Sequence, residues 1–173
     1  MLDLRAYIRD IPDFPKKGIL FKDITPLLAS PSALALAVET LCNPFRGTGV
    51  QAVVGAESRG FIFGTAIAQA LSCGFVPVRK PGKLPYQKIS LTYDLEYGQD
   101  ALEIHKDAIK PGARVLLVDD LLATGGTMKA CCDLVEGLGG DIVGIAVLIE
   151  LSFLNGRARF EKYHLHSAIQ YQS

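Results

Sequence analysis

Two adjacent carboxylates precede a loop of small residues in the stretch VLLVDDLLATGGTM, residues 115–128. Asp119 and Asp120 follow the apolar run Val115–Val118, and carboxylate oxygens suit sugar hydroxyls or a hydrated Mg²⁺ ion. A loop that leads into a helix offers backbone N–H groups and the positive end of the helix dipole to a phosphate. The candidate phosphate-binding residues are Ala123, Thr124, Gly125, Gly126 and Thr127. The combination predicts a ribose 5-phosphate site; the alternative is an ordinary strand–turn–helix whose glycines allow tight packing.

Apolar strands alternate with helices along the chain, and this order predicts the fold that positions these groups. Strands are predicted over 51–57, 75–78, 114–118 and 141–151, and helices over 32–41, 60–72 and 125–139. An antiparallel hairpin is predicted from the period-two pattern of 89–97 and the strand-like segment ALEIH that follows it. We therefore expect one α/β domain over 1–173 with a mainly parallel, doubly wound sheet, a flap at 86–104 and an irregular N-terminal hood at 1–30. In such sheets ligands bind at the carboxyl ends of the strands, where the two aspartates are expected.

Charge and hydropathy exclude several classes of partner. Eighteen basic and eighteen acidic residues give a formal net charge of zero, so nothing favours nucleic acid or an anionic membrane. The first ten residues carry four charges, and the apolar run VGIAVLI is too short to span a bilayer. We expect a cytoplasmic protein that acts on small molecules, with no nucleic-acid or membrane partner.

Ser58 raises a second possible chemistry. Its segment AESRG is close to the G-x-S-x-G nucleophile turn, and the aspartates and then His164 or His166 follow in the order of an esterase triad. Charged residues flank the serine on both sides, and the ATGGT loop would have no task in an esterase. A P-loop is excluded because Gly60 is followed by Phe-Ile, and the sequence has no GxGxxG fingerprint.

The whole stretch 115–128 resembles the phosphoribosyl diphosphate (PRPP) signature of the type I phosphoribosyltransferases, and the similarity covers nearly the whole chain. Within that family it is greatest to members that accept adenine. DFPKKGILFKDITPLL is similar to their base-binding hood, VVGAESRGFIFG to their pyrophosphate loop, RKPGKLP to the basic segment that follows, and LEYG to their flexible catalytic flap. The resemblance implies transfer of phosphoribose from PRPP to adenine, with Mg²⁺ as cofactor and a homodimer as the assembly.

The resemblance also implies a role for each site residue. Asp119 and Asp120 would hold the ribose hydroxyls, and a metal ion through substrate or water, while residues 123–127 would hold the 5-phosphate. The implied diphosphate residues are Glu57, Ser58, Arg59, Lys80 and Lys83. Main-chain groups of Leu20 and Lys22 would contact adenine, and Phe21 would stack on it. Glu96 and Arg59 would be catalytic, and Tyr97 would close over the site with the flap.

Two alternatives remain open within this interpretation. The accepted base could be hypoxanthine, guanine or xanthine, or the chain could sense PRPP as a regulator without catalysis, because a fold does not guarantee an activity. A regulator could keep VDDLLATGGT while losing the flap or the basic segment. Both segments are present here.

Overall fold

Residues 1–95 and 97–173 are described by a computed structural model, in which the chain forms two units, Met1–Thr40 and Leu41–Ser173. The expected end of the hood, at residue 30, lies within the first unit. A single domain over 1–173 stays a prediction.

The first unit contains two short strands where the sequence predicts only irregular chain. Strands β1 (Arg9–Pro12) and β2 (Leu20–Asp23) pair antiparallel, and helices α1 (Thr25–Ala29) and α2 (Pro31–Cys42) follow, the last two residues of α2 being counted in the second unit. The turn between the strands is closed by Asp13, whose Oδ1 accepts a hydrogen bond of 2.8 Å from the amide of Gly18. Gly18 has a φ of 89°, a conformation that glycine adopts without steric cost. The sequence does not predict these strands because the prolines and glycine of the segment are typical of loops.

The second unit is built around a parallel sheet. In chain order its elements are β3 (Ala52–Ala56), α3 (Arg59–Ala70), β4 (Gly74–Val78), β5 (Lys88–Asp94), β6 (Gln99–His105), β7 (Arg114–Leu122), α4 (Gly126–Gly137), β8 (Asp141–Leu151) and β9 (Leu165–Tyr171). Five strands pair in the order β4-β3-β7-β8-β9, all parallel. Their buried apolar runs, typical of parallel strands, form the core with α4 and β6. The predicted α/β class with a mainly parallel sheet is confirmed.

Strand β7 is longer than predicted. The sequence pattern ends it at Val118, but it continues to Leu122 because β8 runs beside it, with Asp119 opposite Val147 and Leu122 opposite Glu150. The two aspartates therefore lie inside the strand, near its carboxyl end. Neighbouring side chains of a strand point to opposite faces, so the two carboxylates have different surroundings.

The predicted hairpin is also confirmed. Strands β5 and β6 pair antiparallel from Lys88 opposite His105 to Asp94 opposite Gln99, and exposure alternates along β5 with period two. At the turn, the amide of Leu95 donates to the carbonyl of Gly98 at 2.9 Å, and Gly98 has a φ of 91°. Among the helices that the structure describes, none combines the length and the apolar character needed to cross a membrane.

Candidate active site

A cavity of about 270 Å³ lies where β3 and β7 end. It is lined by Glu57, Ser58, Arg59, Leu95 and residues 119–128. The structure thus brings together the residues predicted for ribose and 5-phosphate and three of the five predicted for diphosphate. Parallel pairing of β3 with β7 explains this, because it places the carboxyl ends of both strands at the same edge of the sheet.

The loop before α4 has the backbone geometry of an anion site. Gly125 caps the helix with a φ of 88°, and α4 begins at Gly126. The first amides of a helix have no partner within it, so those at the start of α4 are available to a ligand at the cavity wall. Two hydroxyl side chains of this loop, Thr124 and Thr127, line the same cavity.

The two aspartates differ in their contacts. Asp120 is 5% exposed, and its Oδ2 lies 3.0 Å from Nε of Arg59 in an ion pair. Asp119 accepts a hydrogen bond of 2.8 Å from the amide of Asp120, and its Oδ1 lies 3.1 Å from where a side chain on Gly60 would begin. Burial, and then the neighbouring Asp120 carboxylate, raise the pKa of Asp119 well above its usual range. Such a pair suits a ligand that brings hydroxyl donors or positive charge.

Glu57 contacts three residues of the basic segment that follows β4. Its Oε1 accepts a hydrogen bond of 2.5 Å from the amide of Lys80 and lies 3.5 Å from Nε of Arg79, while Oε2 accepts 2.7 Å from Nζ of Lys83. Burial raises the pKa of the Glu57 carboxyl, but Lys83, the Lys80 amide and Arg79 lower it by more, so the net pKa lies below its usual value. Neither Lys80 nor Lys83 lines the cavity itself. Both lysines are connected to the cavity through their hydrogen bonds with Glu57.

Two residues of the hairpin, Tyr93 and Asp100, connect this basic segment to the phosphate-binding loop. Asp100 forms an ion pair with Nζ of Lys80, and the hydroxyl of Tyr93 lies 3.4 Å from the same carboxylate. That hydroxyl also lies 3.3 Å from Oγ1 of Thr127. Neither residue is predicted from the sequence. Period-two alternation puts Tyr93 on one face of β5, but no sequence pattern pairs Asp100 with a lysine twenty positions away.

The three residues predicted to contact adenine lie together in the first unit, on β2. Leu20 is 48% exposed, whereas Lys22 is 8% exposed and its Nζ donates to Oδ1 of Asp10 at 2.7 Å. Phe21 packs edge to face against Phe14, with 5.1 Å between the ring centroids. The Lys22 ammonium is already paired with Asp10. The expected contact of Lys22 with adenine through its main chain is therefore favoured over one through its side chain. On the predicted flap, Tyr97 is 79% exposed, and Glu96 lies outside the described residues.

The esterase alternative fails on the direction of the strands. Ser58 follows the carboxyl end of β3, whereas His164 and His166 lie at the amino end of β9. In a parallel sheet these ends form opposite edges. The ring of His164 packs against Phe45, with 5.1 Å between centroids. The Ser, Asp, His order in the sequence therefore does not become a triad.

Comparison with known proteins decides the family. Residues 33–170 match the phosphoribosyl transferase domain. The chain belongs to this family. An adenine phosphoribosyltransferase of Rhodopirellula baltica is 58% identical over 170 residues, which are 98% of this chain and 82% of the relative.

Solved structures of the phosphoribosyl transferase family agree with the sequence match. The adenine phosphoribosyltransferase of Rhodothermus marinus superposes with a TM-score of 0.93 at 54% identity, covering 97% of this chain and 96% of that one. The enzyme of Saccharomyces cerevisiae, in complex with adenine and D-2,5-dideoxy-2,5-imino-altritol 1,6-bisphosphate, has a TM-score of 0.90 at 40% identity, with 95% and 96% covered. The resemblance of 115–128 to a PRPP signature is thus confirmed at the level of the family.

Proposed function

We propose that this chain transfers the 5-phosphoribosyl group of PRPP to adenine, giving AMP and diphosphate in purine salvage. The observation that carries the proposal is the cavity that joins two carboxylates, a phosphate-binding helix start and the Glu57–Arg59 turn. The relatives named above are adenine phosphoribosyltransferases, and the one from Saccharomyces cerevisiae holds adenine. Together these favour a transferase over a PRPP-sensing regulator.

The reaction breaks the bond between ribose C1 and the diphosphate oxygen and forms a bond between C1 and a nitrogen of the base. As in glycoside cleavage, positive charge develops on the sugar. We assign Asp119 and Asp120 to the ribose hydroxyls and residues 123–127 to the 5-phosphate, which holds the sugar in line with the base. The site must also exclude water, and Tyr97 on the flap is assigned to that closure.

Charge on the leaving diphosphate has to be neutralised. The residues assigned to it are Glu57, Ser58, Arg59, Lys80 and Lys83. Arg59 is the catalytic member, because its guanidinium lines the cavity beside Asp120 and a planar fork suits phosphate oxygens. Glu57 holds Lys83 and the Lys80 main chain in place for this task.

The incoming base needs an edge to bind and a proton acceptor. Main-chain groups of Leu20 and Lys22 are assigned to the adenine edge, and the ring of Phe21 to stacking. Glu96 is assigned as the second catalytic residue, which accepts the proton from adenine or stabilises positive charge as it develops.

Mg²⁺ is proposed as the cofactor, held mainly by the substrate. Within residues 1–95 and 97–173, no group of three His, Cys, Asp or Glu side chains converges as a cation site. Mg²⁺ keeps several waters and is often bound through one or two carboxylates and substrate phosphates, which fits Asp119 and Asp120 as indirect partners. When bound, the ion would neutralise charge on the diphosphate.

A homodimer and a cytoplasmic location complete the proposal. The dimer is supported by the family resemblance, and sedimentation of the purified chain tests it. The location is supported by the substrate, because a highly charged phosphate ester does not cross a bilayer unaided.

The test of the proposed function is a comparison of four bases. The purified chain is incubated with PRPP and Mg²⁺ and with adenine, hypoxanthine, guanine or xanthine, and nucleotides are separated by chromatography. We expect AMP alone. Another nucleotide would keep the phosphoribosyl transfer and overturn the choice of base, whereas no product despite measurable PRPP binding would favour the regulator.

Removal of the Asp100 carboxylate is expected to strengthen PRPP binding. Lys80 is assigned to diphosphate yet pairs with Asp100, so this pair must open before the lysine meets its ligand. Partly exposed ion pairs are worth about 0.2–1 kcal/mol, so Asp100→Asn should lower KM for PRPP by about 1.5- to 5-fold.

The matched control for this prediction is Asp94→Asn. It removes the same charge from the same hairpin, but Asp94 accepts a hydrogen bond from Gln99 and does not pair with Lys80. Its KM for PRPP should stay at the wild-type value. Equal decreases in both variants would point to net charge, and a higher KM in Asp100→Asn would contradict the competition.

A further inference from the structure

A short segment behind the phosphate-binding loop has no assigned task. It is the 3₁₀ helix Gly156–Phe160, which follows β8 and packs against the loop. A methyl group on Gly156 would overlap the carbonyl oxygen of Ala123 and lie 3.1 Å from the carbonyl carbon of Thr124. A methyl group on Gly125 would lie 2.9 Å from the ring of Phe160. The loop therefore rests directly on this segment, with no space between them for a side chain.

An ion pair between a buried carboxylate and an arginine whose side chain is 43% exposed holds the segment in place. Glu150, on β8, is 3% exposed and accepts hydrogen bonds of 2.9 Å and 2.5 Å from Nε and Nη2 of Arg157. The hydroxyl of Ser167 donates to the same carboxylate at 2.7 Å, and Nη1 of Arg157 donates to the carbonyl of Leu165 at 3.0 Å. Arg157 lies next to Gly156, so the fork fixes the residue that touches the loop.

The main chain of Glu150 also adjoins the loop. Glu150 lies opposite Leu122 in the pairing of β8 with β7, and Leu122 is the residue before Ala123. Glu150 is therefore connected to the loop in two ways. Its strand pairs with the residue that precedes the loop, and its side chain holds Arg157, the neighbour of Gly156. Neither Glu150 nor Arg157 is among the residues that line the cavity. Neither side chain is therefore in direct contact with a ligand in that cavity.

Stability alone does not account for the pair. Removing the Glu150 carboxylate from water costs free energy, which the attraction to Arg157 must first offset. What a bidentate arginine–carboxylate pair adds is a fixed geometry. Arg157 is therefore suited to hold the segment at one distance from the loop.

We infer that Glu150 and Arg157 are positioning residues for the 5-phosphate: they fix Gly156–Phe160 against Ala123–Gly125 and so set the affinity of the loop for phosphate. The inference rests on the proposed function, in which this loop binds the 5-phosphate of PRPP and AMP. It predicts that loss of the pair weakens the phosphate contact and leaves the base contact unchanged.

The experiment compares AMP with adenosine, which differ only in the 5-phosphate. Calorimetry gives the dissociation constants of both for the full chain and for Glu150→Gln, Arg157→Met and Arg157→Lys. We expect the preference for AMP over adenosine to fall at least tenfold in the first two variants, while the affinity for adenosine stays within about twofold of wild type. Arg157→Lys keeps the charge and loses the fork, so its preference should fall at least threefold.

The two main variants change the net charge in opposite directions. A long-range electrostatic effect on the phosphate would shift the preference up in one and down in the other, whereas positioning lowers it in both. As a control, Asp141→Asn breaks the exposed ion pair with Arg114 at the amino ends of β7 and β8, and its preference should match wild type.

Three outcomes would overturn the inference. They are opposite shifts of the preference in the two main variants, an equal loss of affinity for AMP and adenosine, and an unchanged preference in Arg157→Lys. The last of these is the deciding measurement if Arg157→Met does not fold. A wild-type chain that binds AMP no better than adenosine would instead contradict the phosphate site of the proposed function.

Discussion

Replacing Asp119 and Asp120 together by asparagine is expected to lower kcat/KM for PRPP by about 10²- to 10⁴-fold. Each assigned contact is a charge-assisted hydrogen bond to a ribose hydroxyl, worth about 1.5–3 kcal/mol, and each 1.36 kcal/mol is tenfold in rate. Steady-state kinetics with adenine saturating gives the effect, and calorimetry gives the loss of PRPP affinity. If the double variant binds PRPP as wild type does, the ribose assignment is wrong.

The single change Asp119→Asn should separate function from stability. The folded protein raises the pKa of Asp119 above its usual 3.8. At pH values between the unfolded and the folded pKa, the folded state therefore holds a proton there that the unfolded chain has lost. Stability thus falls as the pH rises through the interval between the two values, and the full cost of the charge is present above the folded pKa. Asparagine removes that cost and still accepts the hydrogen bond from the Asp120 amide.

We therefore expect the free energy of unfolding of Asp119→Asn to exceed that of wild type at neutral pH, with the difference shrinking as the pH is lowered. Urea denaturation at neutral and acidic pH measures both. Asp120→Asn is the matched control, since it breaks the ion pair with Arg59 and should not stabilise the fold. If Asp119→Asn is instead less stable than wild type at neutral pH, then neighbouring groups already stabilise the charged Asp119 carboxylate in the folded protein.

The sequence predicts four of the five strands of the parallel sheet, all but β9, because those four are apolar runs. Val115–Val118 could be assigned because parallel strands are buried on both faces. The end of β7 could not, because carboxylates usually mark the end of a buried strand. What extends it to Leu122 is the length of β8 beside it, with Ile149 opposite Leu121. A partner strand is a property of the fold, which no local pattern contains.

In the candidate site, too, local features can be predicted from the sequence and long-range contacts cannot. The types and spacing of 119–127 are local, so the amino-acid sequence is enough to identify a phosphoribose site there. The partner of each charge is not local: Lys80 pairs with Asp100, and Arg59, at the start of α3, pairs with Asp120 on β7. Gly156 is the instructive case, because nothing near it in the sequence indicates that its missing side chain makes room for Ala123.

The largest structural effect is expected at Gly125. Its φ of 88° is one that residues with a side chain rarely adopt, at a cost of about 1–2 kcal/mol. A methyl group there would also lie 2.9 Å from the ring of Phe160 and 3.2 Å from the carbonyl oxygen of Gly156, and Phe160 is 1% exposed and cannot move aside. Overpacking of this kind costs about 1–3 kcal/mol. Gly125→Ala should therefore lose about 2–5 kcal/mol of unfolding free energy.

The neighbouring glycine provides the comparison for stability. Among the described residues, a methyl group on Gly126 would meet no atom closer than 3.9 Å, and the residue already lies in the first turn of α4, so Gly126→Ala should keep or gain stability, by up to about 1 kcal/mol. Because the clash in Gly125→Ala is relieved by moving the loop away from Phe160, its dissociation constant for AMP should also rise at least tenfold. Urea denaturation and calorimetry test the two parts separately. If Gly125→Ala unfolds at the same urea concentration as Gly126→Ala, the loop is not held against Phe160, and the argument that the Gly156–Phe160 segment positions it loses its support.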